Sequence, residues 1–159
     1  VQHVGMSRAF VKESDADDGE PLAELKVSPH RNLVTPEGQA RIEETVERLR
    51  AELSAARAAE DRAAIRRIQR DLRYWSERQR TAEVVPPPAP GGKARFGSRV
   101  ALEREDGRRI EFRIVGEDEA DPGAGKISWV SPLATRLIGA EVGDAVELPD
   151  GPAEVAGID

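Results

Sequence analysis

The stretch Ala55–Ala64, AARAAEDRAA, sets two carboxylates side by side, Glu60 and Asp61, among alanines and arginines. Carboxylates are the hard oxygen donors that magnesium takes, with partner groups and water completing its shell. A second ion of that kind is what two-metal phosphoryl chemistry requires. Side chains adjacent on a helix diverge by about 100°, so joint chelation needs a turn at this point. The plainer reading is that acids at an exposed turn complement the dipole of the helix that follows. Arg62, Arg66, Arg70 and Arg73 come next, at spacings of 4, 4 and 3 that put them on one helical stripe. Such a stripe could meet RNA phosphates. It could equally be a solvated face paired with Glu43, Glu47 and Glu52. No aromatic residue interleaves with it, so base stacking is not suggested.

The elements that would carry these residues follow from the apolar pattern. Thr35 is a helix N-cap and Pro36 a first helical residue, where the missing N–H costs nothing. Gly38 reads as a small local penalty. Ile42, Val46, Leu49, Leu53 and Ala56 then recur at spacings of 4, 3, 4 and 3, an a/d seam. A second series, Ile65, Ile68, Leu72 and Trp75, is out of phase with the first. An antiparallel hairpin reconciles them: Leu53 faces Ile68, Leu49 faces Leu72, Val46 faces Trp75 and Ala56 faces Ile65 about a centre between Glu60 and Asp61. Each arm of about 25 residues would run roughly 37 Å. A single bent helix that dimerises is the alternative. Tyr74 lies off the seam, near the base of the hairpin.

Residues 95–159 alternate apolar and polar residues instead. SRVALERE and RRIEFRIVG flank an Asp-Gly turn at 106–107, a hairpin signature. GKISWVS at 125–131 reads as a further strand and PLATRLIG at 132–139 as a short helix. DAVEL and AEVAGI are closing strands around PDGP. The expected fold class is α+β: an N-terminal antiparallel helical hairpin, then a small antiparallel β domain with one short helix. The expected divisions are a flexible extension over 1–32, the hairpin over 33–85, a Pro/Gly linker over 86–94 and the β domain over 95–159.

Composition narrows the function. The chain of 159 residues has no cysteine, which excludes disulfide and cysteine-metal frameworks. Its two histidines, His3 and His30, have no third partner for zinc. No run approaches a membrane span and none reads as a signal peptide, so a cytoplasmic setting is expected. The net charge of −6 argues against generic binding to duplex DNA. Charge is uneven: 62–85 holds seven arginines against three acids, whereas 91–159 holds nine basic and fourteen acidic residues. Two surfaces for different partners are implied. No nucleophile, general base or dinucleotide loop stands out.

Four ordered segments carry a resemblance: FGSRVALE at 96–103, IVGEDEAD at 114–121, GKISWVSPLA at 125–134 and LIGAEVGDAVEL at 137–148. With TPEG at 35–38 and MSRAFVKE at 6–13, they resemble the bacterial GreA/GreB family of transcript-cleavage and elongation factors, the start being GreB-like. The resemblance implies an FKBP-like globule behind a coiled-coil hairpin. It further implies docking on the rim of the secondary channel of RNA polymerase. The hairpin itself predicts a monomer in dilute solution, and the lack of a nucleophile or general base places any catalysis in the active site of the partner. Asp118, Glu119, Asp121, Ser131 and Pro132 match the docking segments; on their own they read as a solvated loop and a helix start. The hairpin would reach toward the active site, with Glu60 and Asp61 assisting the magnesium ion held there and the arginine stripe near nascent RNA. The chain departs from the family at the tip, where no D-x-x-E-N-A string occurs, and its hairpin is several turns shorter. Occupation of the channel without cleavage is therefore an alternative. A coiled-coil dimerisation protein with an accessory FKBP-like domain is another, from a different class. Prolyl isomerisation is disfavoured, because Phe96, Phe112 and Trp129 are the only aromatics available to line a pocket in the β domain.

Overall fold

The computed structural model describes residues 22–159. The expectation of a flexible extension over 1–32 therefore lies, for 1–21, outside the described residues. Residues 22–32 contain no helix or strand. Two compact units are present: among the described residues one holds Leu22–Pro29 and Ile42–Arg80, the other His30–Arg41 and Thr81–Asp159.

In the first unit, helix α1 (Pro36–Ala58) supplies Leu49, Leu53 and Ala56, and helix α2 (Arg62–Thr81) supplies Ala64 and Ile68, to one buried cluster. Ile65, Leu72 and Trp75 pack against it. The two apolar series thus meet as antiparallel arms, which is the α part of the expected class. Trp75 meets Tyr74 edge to face, with ring centroids 5.1 Å apart.

The turn between the arms has a defined chemistry. Glu60 adopts the left-handed conformation, φ 53°. Its N–H donates to the carbonyl of Arg57 at 3.1 Å, and the N–H of Asp61 donates to that of Ala56 at 3.0 Å. These are the paired bonds of a Schellman motif, in which the left-handed position usually belongs to glycine. Asp61 then starts α2, its Oδ1 accepting from the Ala64 N–H at 3.1 Å. The tip therefore forms without glycine or proline because backbone bonds and one carboxylate cap close it.

The second unit contains a five-stranded sheet ordered β5-β4-β3-β7-β6. Its strands are β3 (Arg99–Arg104), β4 (Arg109–Val115), β5 (Lys126–Ser128), β6 (Ala145–Leu148) and β7 (Gly151–Ile158). The β3–β4 hairpin turns at Gly107, φ 83°. Alternate residues Val100, Leu102, Ile114, Val146, Leu148 and Val155 form the core with Ala134 and Leu137 of helix α3 (Pro132–Leu137). One expectation is corrected: the sheet is mixed, not wholly antiparallel, because β5 runs parallel to β4. Two short 3-10 turns, Glu117–Glu119 and Pro122–Ala124, carry the chain back so that Lys126 stands beside Arg113. A short parallel pair, β1 (Leu33–Val34) with β2 (Glu83–Val84), was not foreseen.

Residues 30–41 are held in this unit by one buried carboxylate. Glu119 Oε2 accepts from the Thr35 and Gly116 N–H groups, both at 3.0 Å, and Oε1 accepts from Thr35 Oγ1. Thr35 Oγ1 in turn accepts from the Gly38 N–H at 3.0 Å, capping α1 as its sequence position suggested. Gly38 is more than a local penalty. A Cβ there would fall 2.2 Å from Glu119 Cδ, and one on Gly116 would fall 2.4 Å from the Leu33 carbonyl oxygen. Both glycines make room for the carboxylate and its partners.

An exposed helical Gly→Ala change normally stabilises by about 1 kcal/mol. Gly38→Ala is expected to destabilise instead, by about 2–4 kcal/mol in urea unfolding, since displacing Glu119 orphans buried donors at about 1–3 kcal/mol each. In a Glu119→Ala background the same change should lose most of that cost. At the tip, Glu60→Gly should stabilise by about 1 kcal/mol through relief of the left-handed conformation. Asp61→Ala should cost about 1 kcal/mol while Asp61→Ser stays near neutral.

Candidate functional site

The hairpin tip brings Glu60 and Asp61 together at an exposed turn. Their roles differ in kind. The Asp61 carboxylate already accepts a backbone hydrogen bond, whereas Glu60 is exposed on a left-handed backbone. The tip thus offers one uncommitted carboxylate beside one that is partly spent on capping. Among the described residues no group of three or more His, Cys, Asp or Glu side chains could hold a metal ion.

The arginine stripe lies on α2, and its members have unequal company. Arg70 pairs with Asp71 at 3.0 Å, both partly buried. Arg73 Nε donates to both carboxylate oxygens of Glu24 at 3.0 Å. That hydrogen bond, ahead of the simple charge attraction, holds the Glu24 carboxyl below its ordinary value. The contribution of the pair is therefore complete at neutral pH and fades as pH falls through the carboxylate range. Arg62 is exposed and Arg66 half-buried, and both have partners within the chain. The acids expected to face the stripe are partly committed to their own helix, Glu52 to Arg48 at 3.0 Å and Glu47 to Arg50 at 3.3 Å. The stripe continues to Arg80, which pairs with Glu77.

On the globule, β5 touches both the Glu117–Glu119 turn and α3. This places the segment holding Asp118, Glu119 and Asp121 next to the one holding Ser131 and Pro132. Asp121 and Pro132 are exposed, Asp118 and Ser131 half-buried. Ser131 Oγ accepts from the Ala134 N–H at 3.2 Å and so caps α3. Glu119 is a correction. It is 8% exposed and its carboxylate is filled by Thr35 and Gly116, so it is turned away from any partner.

Sequence reasoning missed two features of this surface. Trp129 and His30 meet edge to face, centroids 6.3 Å apart, and Trp129 Nε1 is buried without a hydrogen-bond partner. Glu37, at the start of α1, receives Arg113 at 3.2 Å. Its own backbone N–H is the largest cause, with Arg113 and Thr35 adding to it, that keeps its carboxyl below the ordinary value.

Comparison with known proteins places the chain in a family. The family model described as "Transcription elongation factor, GreA/GreB, C-term" matches residues 89–156. Transcription elongation factor GreB of Neisseria meningitidis serogroup B is 43% identical over 95 residues, which cover 57% of this chain and 58% of that protein. The chain thus matches less than two thirds of the length of that relative. The GreB of Pseudomonas aeruginosa is 36% identical over 140 residues, covering 76% of this chain and 83% of that protein. The solved GreA factor homolog 1 of Thermus thermophilus covers 82% of this chain and 99% of its own, at 23% identity and a TM-score of 0.40. At that likeness the fold rests on the elements described above and not on the superposition. By the extent and identity of the GreB matches, the chain belongs to the GreA/GreB family of transcription elongation factors.

Proposed function

We propose that this protein binds RNA polymerase at its secondary channel and regulates elongation, with its hairpin tip directed at the active site. The observation that supports this most is the tip itself: a non-glycine residue, Glu60, held left-handed by two backbone bonds and the Asp61 cap. Strained backbone of this kind persists where the surroundings over-determine it, and it clusters at functional positions. In this reading Glu60 offers its carboxylate to the magnesium ion of the polymerase, and Asp61 holds the turn and contributes secondarily. That ion would supply activation of water for the cleavage of backtracked RNA by the polymerase. The chain is then an accessory factor acting on the catalysis of its partner, in the cytoplasm. Asp118, Asp121, Ser131 and Pro132 form the docking surface.

A second reading has one observation in its favour. With Asp61 spent on its cap, the tip has a single uncommitted carboxylate and no D-x-x-E-N-A string. A channel-occupying modulator without cleavage activity fits that deficit.

Stalled, backtracked polymerase complexes with end-labelled RNA separate the two. Cleavage should rise with the native protein and fall strongly with Glu60→Gln, which removes the charge directed at the metal. Asp61→Ser, which keeps a cap, should retain most of the effect. Binding without cleavage by the native protein would favour the modulator. Asp121→Arg should weaken binding to polymerase and leave the unfolding of the free protein unchanged; unaltered binding would remove Asp121 from the docking surface.

A further inference from the structure

The five-stranded sheet ends in β5 on one side and β6 on the other, and the two edges differ. Beyond β5 the chain closes on itself. The Asp121 N–H donates to the Lys126 carbonyl at 2.9 Å, and the Lys126 N–H donates back to Asp121 at 3.1 Å. Strand β6 has β7 on one side and, among the described residues, no strand on the other. The Val155 N–H donates to the Asp144 carbonyl at 2.9 Å. In an antiparallel ladder such bonded pairs recur at every second residue, so the register makes Val146 with Ala153 and Leu148 with Gly151 the next ones. The backbone groups of Ala145 and Glu147 therefore point outward along the free edge. Pro152, which has no N–H to give, stands opposite Glu147, where the ladder asks for none.

One side chain occupies that edge. Arg136, exposed in the last turn of α3, donates from Nη1 to the Glu147 carbonyl at 3.1 Å. This is its single hydrogen bond among the described residues, and no carboxylate there pairs with it. A guanidinium placed on an edge carbonyl does two things. It satisfies the acceptor, and it sets a charge where an incoming strand would have to lie.

Without Arg136 the edge is self-complementary. Two copies related by a two-fold axis at Val146 would pair antiparallel, with Ala145 of each bonded to Glu147 of the other through both outward groups. Val146 and Leu148 stay in the core of their own copy. On the outer face Glu147 meets an alanine and not a like charge. Glu154 is the cross-strand neighbour of Ala145 on the β7 side. Glu147 of the second copy would thus stand two strand spacings, about 10 Å, from that carboxylate, a repulsion that salt screens.

We propose that Arg136 keeps this protein monomeric by closing the β6 edge to β6 of a second copy. The role belongs to the free protein and does not rest on polymerase binding.

Sedimentation velocity of the full chain, from micromolar to submillimolar concentration, tests the proposal. Hydrogen exchange of the Ala145 and Glu147 amides is the local readout. The native protein should stay monomeric and exchange both amides rapidly. Arg136→Ala should become a dimer as concentration rises, more so in higher salt, and both amides should then slow by roughly tenfold or more. Arg136→Lys, which keeps a cationic donor, should remain monomeric. Adding Glu147→Pro to Arg136→Ala should restore the monomer, because proline there removes only an outward N–H. Urea unfolding of each variant checks that the β domain is intact. Should alanine unfold it, Arg136→Gln, whose amide carries no charge, is read in the same way. A monomeric Arg136→Ala protein overturns the proposal, as does a native dimer or a lysine variant that dimerises like alanine. Association that survives Glu147→Pro, or that leaves both amides unprotected, also overturns it, since the contact then lies elsewhere.

Discussion

The buried carboxylate of Glu119 is the interaction on which the second unit depends. Three donors from two distant segments converge on it, Thr35 with its N–H and hydroxyl and Gly116 with its N–H. A buried carboxylate is costly unless hydrogen-bonded in this way. Once paired, it ties the residues before α1 to the turn after β4, because any shift of either segment orphans a buried group. Gly38 and Gly116 are the steric counterpart of the same device. The Thr35 cap and the Gly38 N–H extend it into the first turn of α1. One side chain thus serves packing, capping and chain connection together.

The hairpin uses a different economy. Its apolar seam is thin, with Leu49, Leu53, Ala56, Ala64 and Ile68 at its centre, and its surface is densely charged. The turn is closed by backbone bonds and the Asp61 cap, without a glycine to relieve it. The left-handed position falls on Glu60, where the family of such turns usually has glycine.

Much of this was legible in the sequence because the signals are local and periodic. The two seams, their mirror relation about residues 60 and 61, the Thr35 cap, the Asp-Gly hairpin and the Ser131-led helix each rest on spacing over a few residues. What was illegible depends on contacts remote in sequence or on chain direction. Glu119 and Thr35 are 84 positions apart, so an acid that looks solvated in GEDEAD is in fact internal. Gly38 looked like a defect because its reason lies on another segment. Alternation announced β5 as a strand and said nothing of its direction, which the two turns after β4 decide. Strands β1 and β2, of two residues each, are too short to carry any period. At the tip, the position of the acids was readable, but not the division of labour between Glu60 and Asp61, which is a matter of backbone conformation.

The central claim is that the hairpin delivers its tip to the catalytic centre of RNA polymerase. The most direct measurement tethers an iron chelate to Ala59→Cys, the sole thiol in this chain, and maps hydroxyl-radical cuts in a stalled elongation complex. Cuts in the polymerase segment that carries the catalytic aspartates, and in the RNA beside it, are the predicted result. Cuts confined to the outer rim of the channel, or a pattern no different from that of free chelate, would contradict the account.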